Sequence, residues 1–506
     1  MTANRPDHAD VILVKLESDK TPTRIAPPFG ILYLASAVEK AGFSVRLIHR
    51  SATRAALEET VRDIVEAKPL LAGFSVLSGP SLLPAWEASR RLKKRSDLPV
   101  VWGGMHPTML PEQTLGEPVI DSVVVGEGEE TLVELVRNLA GEAEAKPLAE
   151  IDGLAWKKDG KIRVNPARAF IKDLDAYAPA WHHLPIESYF YRRRFFYSDF
   201  GSALPGLIAP YVTSRGCPWR CGYCYNQFVN KRSFRAHSAA RVLSDIARLK
   251  SEHGIEAVVF EDDNLFTDRR RALEIVRGIG IPWSSSLRAD YFGRWKEEFI
   301  RELKLSGCVE LRIGAESGVP RILEIMAKDI TVEEIRLSAE ICRRQGINGL
   351  YNFMVGIPGE TWAESLETLD LMDELRKGGG GVVVNGPSVF YPWPGTPLYD
   401  AAIGRGFKPP DTLRGWATGW GAKQGLAPYV DRRAKHLGYY RNMSFRTDFS
   451  ELRPVFLARR LAAVARWRWK KRFFRFPVDY VLPKAALGLL RRIGIGGGSD
   501  ALTEES

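Results

Sequence analysis

Residues 217–224 read Cys217-Pro-Trp-Arg-Cys221-Gly-Tyr-Cys224. Thiolates select soft metals, and four of them normally complete a zinc site or an iron–sulfur cluster. Here three of the five cysteines of the chain stand together. The other two, Cys308 and Cys342, fall at a strand start and in a helix, where small buried thiols are the ordinary reading. A structural zinc site needs a fourth ligand, and no histidine pair flanks the loop at finger spacing. Three thiolates suit a [4Fe–4S] cluster with one iron left open to a ligand. Gly216, Pro218 and Gly222 make the segment a tight turn, which argues against inert thiols packed in a core. Five cysteines in 506 residues build no disulfide framework, so a reducing compartment, the cytoplasm, is expected.

Outward from this loop the chain alternates short apolar runs with amphipathic helices. C-terminal to residue 206, six strands are expected at Ala209–Thr213, Ala257–Glu261, Trp283–Ser286, Val309–Gly314, Gly349–Val355 and Val382–Ser388. Six β–α units fit an incomplete α/β barrel, with its chemistry at the carboxyl ends of the strands. N-terminal to the loop, strands are expected at Val11–Lys15, Val45–Ile48, Leu71–Ser75, Val100–Trp102 and Ser122–Val125. Helices fall around 30–42, 54–67, 81–95, 109–116 and 129–140, so a doubly wound parallel sheet is expected. Residues 146–205, including an aromatic, basic patch at Tyr189–Tyr197, read as a linker. Residues 401–506 read as a mainly helical extension that includes an apolar face with basic ends at Leu482–Ile493, like an interfacial helix, and a disordered Gly/Ser-rich tail at Gly496–Ser506. Residues 1–10 carry no apolar signal segment, and no run of apolar residues is long enough to span a bilayer.

The loop resembles the CxxxCxΦC pattern of the radical S-adenosylmethionine (SAM) superfamily, with Tyr223 as its aromatic. Later strand ends agree in order. Gly314-Ala-Glu316-Ser317-Gly318 is similar to the segment that contacts the SAM ribose. Gly356-Ile-Pro358-Gly359-Glu360-Thr361 looks like the turn along the adenine, and Arg288 is similar to a residue near the SAM carboxylate. Pro394-Gly395-Thr396-Pro397-Leu398-Tyr399 resembles the sixth-strand signature of the subgroup with N-terminal cobalamin domains. The residue chemistry is compatible: a carboxylate accepts from a ribose diol, and arginine grips a carboxylate with two N–H groups. The resemblance implies a cluster on Cys217, Cys221 and Cys224, and a SAM site of Tyr223, Arg288, Glu316, Ser317, Gly356 and Pro358. Glu261, Asp262 and Asp263, ending the second barrel strand, either bind polar groups of substrate or SAM, or cap a helix and carry solvated charge. Tyr391 and Trp393 either line the substrate or cobalamin side or pack the barrel rim.

In the first domain, Ser75-Val-Leu77 and Gly103-Gly104 resemble the S-x-L and G-G signatures of cobalamin-binding domains. Pro27-Pro28-Phe29-Gly30, Gly104-Met-His106 and Gly126-Glu127-Gly128-Glu129 are also similar to that subgroup. The resemblance implies a cobalamin site of Gly30, Ser75, Leu77, Gly103, Gly104, His106, Gly126 and Glu127. The D-x-H-x-x-G fingerprint is absent, its place taken by Ile25-Ala-Pro-Pro-Phe-Gly30, so no histidine is expected to ligate cobalt from below. No G-x-G-x-x-G follows the first strand, which argues against a dinucleotide. The domain division is thus 1–145 for cobalamin, 146–205 as linker, 206–400 as the radical SAM barrel and 401–506 as the extension.

The resemblance implies reductive cleavage of SAM, hydrogen abstraction and methylation of an unactivated carbon of a small-molecule or lipid-linked substrate, with an electron donor such as flavodoxin or ferredoxin. The alternatives are an oxidative cyclase or rearrangement enzyme with the same cofactors, or a non-catalytic cobalamin sensor. Methylthiotransferases are set aside because no cysteine precedes Cys217. The net charge of +11 is local. Residues 453–492 hold twelve Lys or Arg against one acid, Asp479, and the rest of the chain is formally neutral. Arginine interleaved with Trp467, Trp469 and Phe473 suits an anionic membrane surface better than nucleic acid, with a docked terminal helix pair as the plainer reading. The expectation is thus a cytoplasmic protein, with either peripheral contact at the inner membrane face or a helix pair docked on the body.

Overall fold

The computed structural model describes residues 8–18, 26–192, 204–418, 427–445 and 455–480. Ile25, the Tyr189–Tyr197 patch beyond residue 192, and the expected terminal segments at 482–493 and 496–506 lie outside them.

The first sheet contains β1 (Val11–Glu17), β2 (Val45–Ser51), β3 (Leu71–Ser75), β4 (Val100–Gly103), β5 (Ser122–Val124), β6 (Leu154–Lys158) and β7 (Lys161–Val164). Their order is β2-β1-β3-β4-β5-β6-β7. The first five are parallel, and β6 and β7 continue the sheet antiparallel. Strand order reverses at β1/β3, so a crevice opens at their carboxyl ends. The central strands β1, β3, β4 and β5 are mostly apolar, as expected where helices cover both faces, while the edge strand β2 carries Arg46, His49 and Arg50. The stretch expected as a linker therefore begins as the edge of this sheet. Its hairpin turns at Asp159-Gly160, both in left-handed conformation, and Leu154 and Ala155 are buried while β7 is exposed. That shift from buried to exposed strand hides an edge hairpin from a search for apolar runs.

The second unit begins with β8 (Ile208–Tyr211), followed by a two-stranded ribbon of β9 (Ser214–Arg215) and β10 (Arg235–Ala236). Then come β11 (Ala257–Phe260), β12 (Trp283–Leu287), β13 (Cys308–Glu316), β14 (Asn348–Val355) and β15 (Val382–Val389). The six-stranded sheet runs β15-β14-β13-β12-β11-β8, all parallel, and β8 does not pair with β15. This is the expected partial barrel.

The extension is not a separate body. Helix Leu437–Phe445 lies against β15 and sends buried Arg441 to the Gly386 carbonyl at 2.8 Å and to Asn385 Oδ1 at 2.7 Å. Helix Val455–Lys471 is anchored by Trp469, whose indole N–H donates to Asp373, and Arg472 pairs with Asp370 and Asp373. Arg468 is buried and forms an ion pair with Asp479 at 2.9 Å. Arg468 and Arg472 thus act as internal clasps, which corrects their expected place in a basic surface.

Helix Leu413–Thr418 crosses back to the first domain, where Leu413, Trp416 and Ala417 join its core. Trp416 meets the edge of His106, ring centroids 6.1 Å apart. His106 is fully buried, with Nδ1 2.9 Å from Ser78 Oγ and no partner at Nε2 among the described residues. Burial lowers its pKa from 6.5 to about 4. The unfolded chain therefore takes up this proton first, and stability falls as pH drops below 6.5. Chemical denaturation should register a loss of about 1.5 kcal/mol from this residue between about pH 6.5 and about pH 5. His106→Asn should show a lower baseline and a shallower slope; an unchanged slope would assign the effect elsewhere.

Candidate active site

The ribbon β9–β10 closes the base of the loop that carries the three cysteines. Gly216 has φ +82°, and a Cβ there would lie 2.0 Å from the Ser233 carbonyl oxygen, so only glycine lets the loop return on itself. Two further bonds seat the loop on the barrel: Gly222 N–H donates to Met326 O at 2.8 Å, and Leu398 N–H donates to Gly222 O at 3.0 Å. Cys221 is buried, and Cys217 and Cys224 are half-buried. Each sulfur faces one side-chain N–H: Asn264 Nδ2 lies 3.9 Å from Cys217 Sγ, Arg288 Nη1 3.9 Å from Cys221 Sγ, and Asn226 Nδ2 3.7 Å from Cys224 Sγ. Without a metal, burial pushes the Cys224 thiol up to about 12 and raises Cys217. Binding of a soft cation reverses this by taking the thiolates directly. Three thiols on one loop, each with an N–H donor, fit a [4Fe–4S] cluster with one open iron, and the other two cysteines, Cys308 and Cys342, are buried elsewhere in the barrel.

The acidic run after β11 supports this loop, a role neither of its expected readings covered. Asp262 is buried, accepts from Thr213 N–H at 3.1 Å and Thr213 Oγ1 at 2.7 Å, and also bonds Ser214 Oγ. Burial raises its pKa despite these donors. Asp263 accepts from Gly216 N–H at 3.2 Å and from Tyr225 OH at 2.5 Å. Glu261 pairs with Arg312 at 2.7 Å and faces the barrel cavity.

Glu316 ends β13 with φ +64°, at an irregularity in the pairing with β14. A non-glycine residue in this region costs about 1 kcal/mol and persists where its surroundings require it. Its Oε1 accepts from Tyr223 OH at 2.9 Å and from Lys328 Nζ at 2.9 Å, and Lys328 Nζ lies 3.0 Å from Tyr223 OH. A Cβ at Gly314 would stand 2.3 Å from that carboxylate oxygen, which explains the glycine. Burial alone would lower the Lys328 pKa, but the charges of Glu316 and Cys221 outweigh it and hold the ammonium above its usual range. Lys328 escaped the sequence reading because it follows a short helix in no motif, and only the fold brings it to Glu316.

Other expected SAM residues are already engaged. Arg288 donates to Asp290 at 2.8 Å and to Lys328 O at 2.7 Å, stacks 3.7 Å over Trp219, and turns only Nη1 toward Cys221. It is a fixed positive charge beside the loop rather than an open carboxylate clamp. Ser317 is turned into the protein, its hydroxyl 3.2 Å from Thr368 Oγ1 and accepting from Val319 N–H. Gly356, φ +81°, and Pro358 form a turn closed by Glu360, which accepts from Gly356 and Ile357 N–H. Val430 covers Gly356, and Ile357 packs in one cluster with Tyr223.

In the first domain, an apolar slot of about 40 Å³ lies between the ends of β1, β3, β4 and β5, lined by Leu13, Gly73, Ser75, Val101, Gly103 and Val124. A Cβ at Gly30 would be 4.0 Å from Ser75 Oγ, and one at Gly103 would be 3.7 Å from Val124. Gly104, φ +99°, is so tight against Val76 O that a Cβ would sit at 2.8 Å. Leu77 stands exposed at the strand end. Small residues at these strand ends suit the approach of a corrin's nucleotide tail, although the slot as it stands is too narrow to hold one. A leucine rather than an imidazole stands at the mouth. Two expected contacts are placed elsewhere. His106 is sealed behind Ser78 and Trp416, and Glu127, after Gly126, bonds Arg215 at 2.9 Å and Ile171 N–H at 2.8 Å. Tyr391 and Trp393 pack against each other, and Tyr391 meets Trp416, so they belong to the rim packing.

A cavity of about 1260 Å³ runs through the barrel, bounded by Asn264, Arg288, Glu316 and Lys328 and reached by Ala26, Pro27 and Phe29 of the first domain. Lower in it, Asn385 Nδ2 donates to Asn352 Oδ1 at 2.9 Å, while Arg441 donates to Asn385 Oδ1. Arginine has no acceptor, so it fixes both amides and turns the Asn352 NH2 toward the cavity.

Residues 20–136 match the B12 binding domain and residues 211–372 the radical SAM superfamily. An uncharacterized methyltransferase of Pyrococcus horikoshii is 31% identical over 386 residues, covering 74% of this chain and 78% of that protein. Anaerobic magnesium-protoporphyrin IX monomethyl ester cyclase of Cereibacter sphaeroides is 27% identical, over 74% of this chain and 60% of its own. The cobalamin-dependent SAM radical enzyme OxsB shares the fold, with a TM-score of 0.69 at 17% identity over 98% of this chain and 77% of that one. The chain belongs to the cobalamin-binding radical SAM family, whose cofactors are a [4Fe–4S] cluster, SAM and cobalamin.

Proposed function

We propose that this enzyme methylates an unactivated carbon of a polar small molecule held in the barrel cavity. The observation that carries the reading is that one cavity reaches both the first-domain segment Ala26–Phe29 and the Arg288–Glu316–Lys328 group. When bound, the cluster and SAM supply radical hydrogen abstraction, and cobalamin a transferable methyl group. In this reading Cys217, Cys221 and Cys224 hold the cluster. Glu316, oriented by Lys328 and Tyr223, accepts from the ribose hydroxyls, and the Gly356–Pro358 turn and Ile357 back the adenine. Arg288 places a positive charge beside the loop, while Gly30, Ser75, Leu77, Gly103 and Gly104 receive the corrin and its tail. Asn352 and Arg312 offer donors to the substrate, and the barrel wall excludes water from the reacting atoms. A lipid-linked substrate would have to enter by its polar end. A flavodoxin or ferredoxin is the proposed electron source.

A second reading keeps the cofactors and ends in an oxidative cyclisation without methyl transfer; the Cereibacter relative is named as a cyclase. Anaerobic reconstitution with cell extract, SAM and methylcobalamin separates the two. A product heavier by one methylene supports methylation; loss of hydrogen supports a cyclase. Wild-type protein that forms no 5′-deoxyadenosine while the cluster is reduced would point to a sensor.

The N–H donors around the sulfurs imply a tuned potential. One such bond is worth about 1 kcal/mol, or about 40 mV for one electron. Asn264→Leu should therefore shift the cluster midpoint negative by that order in an EPR-monitored titration, with iron content unchanged.

Among the described residues no helix is long and apolar enough to cross a membrane. We place peripheral contact on helix Val455–Lys471 and the turn after it. Its alanine face (Ala458, Ala462, Ala465) is buried, while Phe456, Trp467 and Phe476 stand 68%, 54% and 75% exposed. Arg459, Arg460, Arg466, Lys470 and Lys471 accompany them. Each basic residue near an anionic surface is worth about 1 kcal/mol. Lys470→Glu with Lys471→Glu should weaken binding to phosphatidylglycerol vesicles at least about thirtyfold. Equal binding to phosphatidylcholine vesicles would refute an electrostatic contact.

A further inference from the structure

The ribbon that closes the cysteine loop carries an arrangement that a free-standing loop would not tolerate. Arg215 of β9 and Arg235 of β10 stand directly opposite each other in the antiparallel pair. Like charges in that position repel, and their side chains are only 20% and 9% exposed. The compensating charge comes from the other domain. Glu127 Oε1 accepts from Nη1 of both arginines, and Glu129 Oε1 accepts from Arg215 Nη2 at 2.6 Å. Glu127 is itself fixed, since its Oε2 accepts from Ile171 N–H at 2.8 Å. The Arg215 guanidinium also lies 4.8 Å over the ring of Tyr33, in the first-domain helix Phe29–Lys40, and Arg235 lies 4.2 Å over Phe170.

The geometry is asymmetric in a useful way. Glu127 and Glu129 directly follow β5, one of the strands whose ends form the slot at Gly103 and Ser75. Arg215 lies two residues before Cys217. A carboxylate that leaves the end of the first sheet therefore grips both sides of the neck from which the three sulfurs hang. We propose that Glu127 is a positioning residue: it closes the neck of the cysteine loop from the first domain, so that the loop is held in its metal-binding shape, and at a set distance from the corrin slot, only while the two domains are docked. The proposal rests on the reading of Cys217, Cys221 and Cys224 as cluster ligands. It assigns Glu127 to the registry of one cofactor site against the other, and not to contact with cobalamin.

Removing one partner from a buried charge set strands the others. Glu127→Gln keeps the side-chain size and loses the charge facing two guanidiniums. The full-length protein, reconstituted anaerobically with iron, sulfide and cobalamin, gives three readouts: iron per chain, rate of iron loss to a chelator, and the distance between the cob(II)alamin and reduced-cluster spins by pulsed EPR. Wild type should load iron and give one narrow distance. Glu127→Gln should release iron about tenfold faster or more and broaden that distance, while still binding cobalamin. Glu127→Gln combined with Arg235→Met, which leaves a single guanidinium facing Glu129, should recover iron retention and the narrow distance. A general folding defect would not be repaired by that second substitution. Glu127→Gln with wild-type iron retention and distance would overturn the proposal, as would a double variant no better than the single. A wild-type protein that takes up no iron would overturn the cluster reading instead.

Discussion

The carboxyl end of the barrel depends on a loop that turns back on itself within the space of one backbone contact. Gly216 passes so close to Ser233 that no side chain fits between them. A loop drawn in this tightly points its backbone polar groups inward, and those groups need partners. Asp262 and Asp263 provide some of them by accepting from the Thr213 and Gly216 N–H groups, and they also accept from the Ser214 and Tyr225 hydroxyls. Two carboxylates are thus committed to holding a turn. The sulfurs face N–H groups drawn from three different segments, at Asn226, Asn264 and Arg288.

The same logic governs the Glu316 site. A buried carboxylate alone would gain a proton, and a buried ammonium alone would lose one. Placed 2.9 Å from Lys328 with the Tyr223 hydroxyl beside it, Glu316 holds the buried ammonium charged. The pairing also fixes the direction of the Glu316 carboxylate, whose backbone already sits in a strained conformation. Such a group is costly to assemble, yet it moves little once assembled. That suits a site that must present the same oxygen to a ligand on every turnover.

Local features were legible in the sequence and distant ones were not. The cysteine loop, the six barrel strands and the small residues at Ser75, Gly103 and Gly104 announce themselves because their chemistry lies in neighbouring residues. The β6–β7 hairpin was missed because an edge strand exposed to solvent lacks the apolar run that marks the others. Lys328 was missed, and His106 and Glu127 were given cofactor roles, for a common reason. Their partners are Glu316, Ser78 with Trp416, and Arg215 with Arg235, and for most of these only the tertiary fold sets the distance. A glycine reveals its constraint locally through its backbone, whereas a charged residue reveals its task only through its counter-charge.

Family membership does not name what the cavity selects, since proteins named as a methyltransferase and as a cyclase both match this chain. The parts that differ between such enzymes must then be the parts that touch substrate and not cofactor. In the proposed reading, those are the cavity-lining donors along β13, β14 and β15: Arg312, tied to Glu261, and Asn352, aligned through Asn385 by Arg441. Arg441 arrives from the extension, at the barrel edge where β15 is left unpaired. An open barrel therefore does more than admit a large ligand. It gives a segment outside the barrel direct access to the cavity wall, so the hydrogen-bonding pattern on that wall can change while the cysteine loop and the first-domain slot stay as they are.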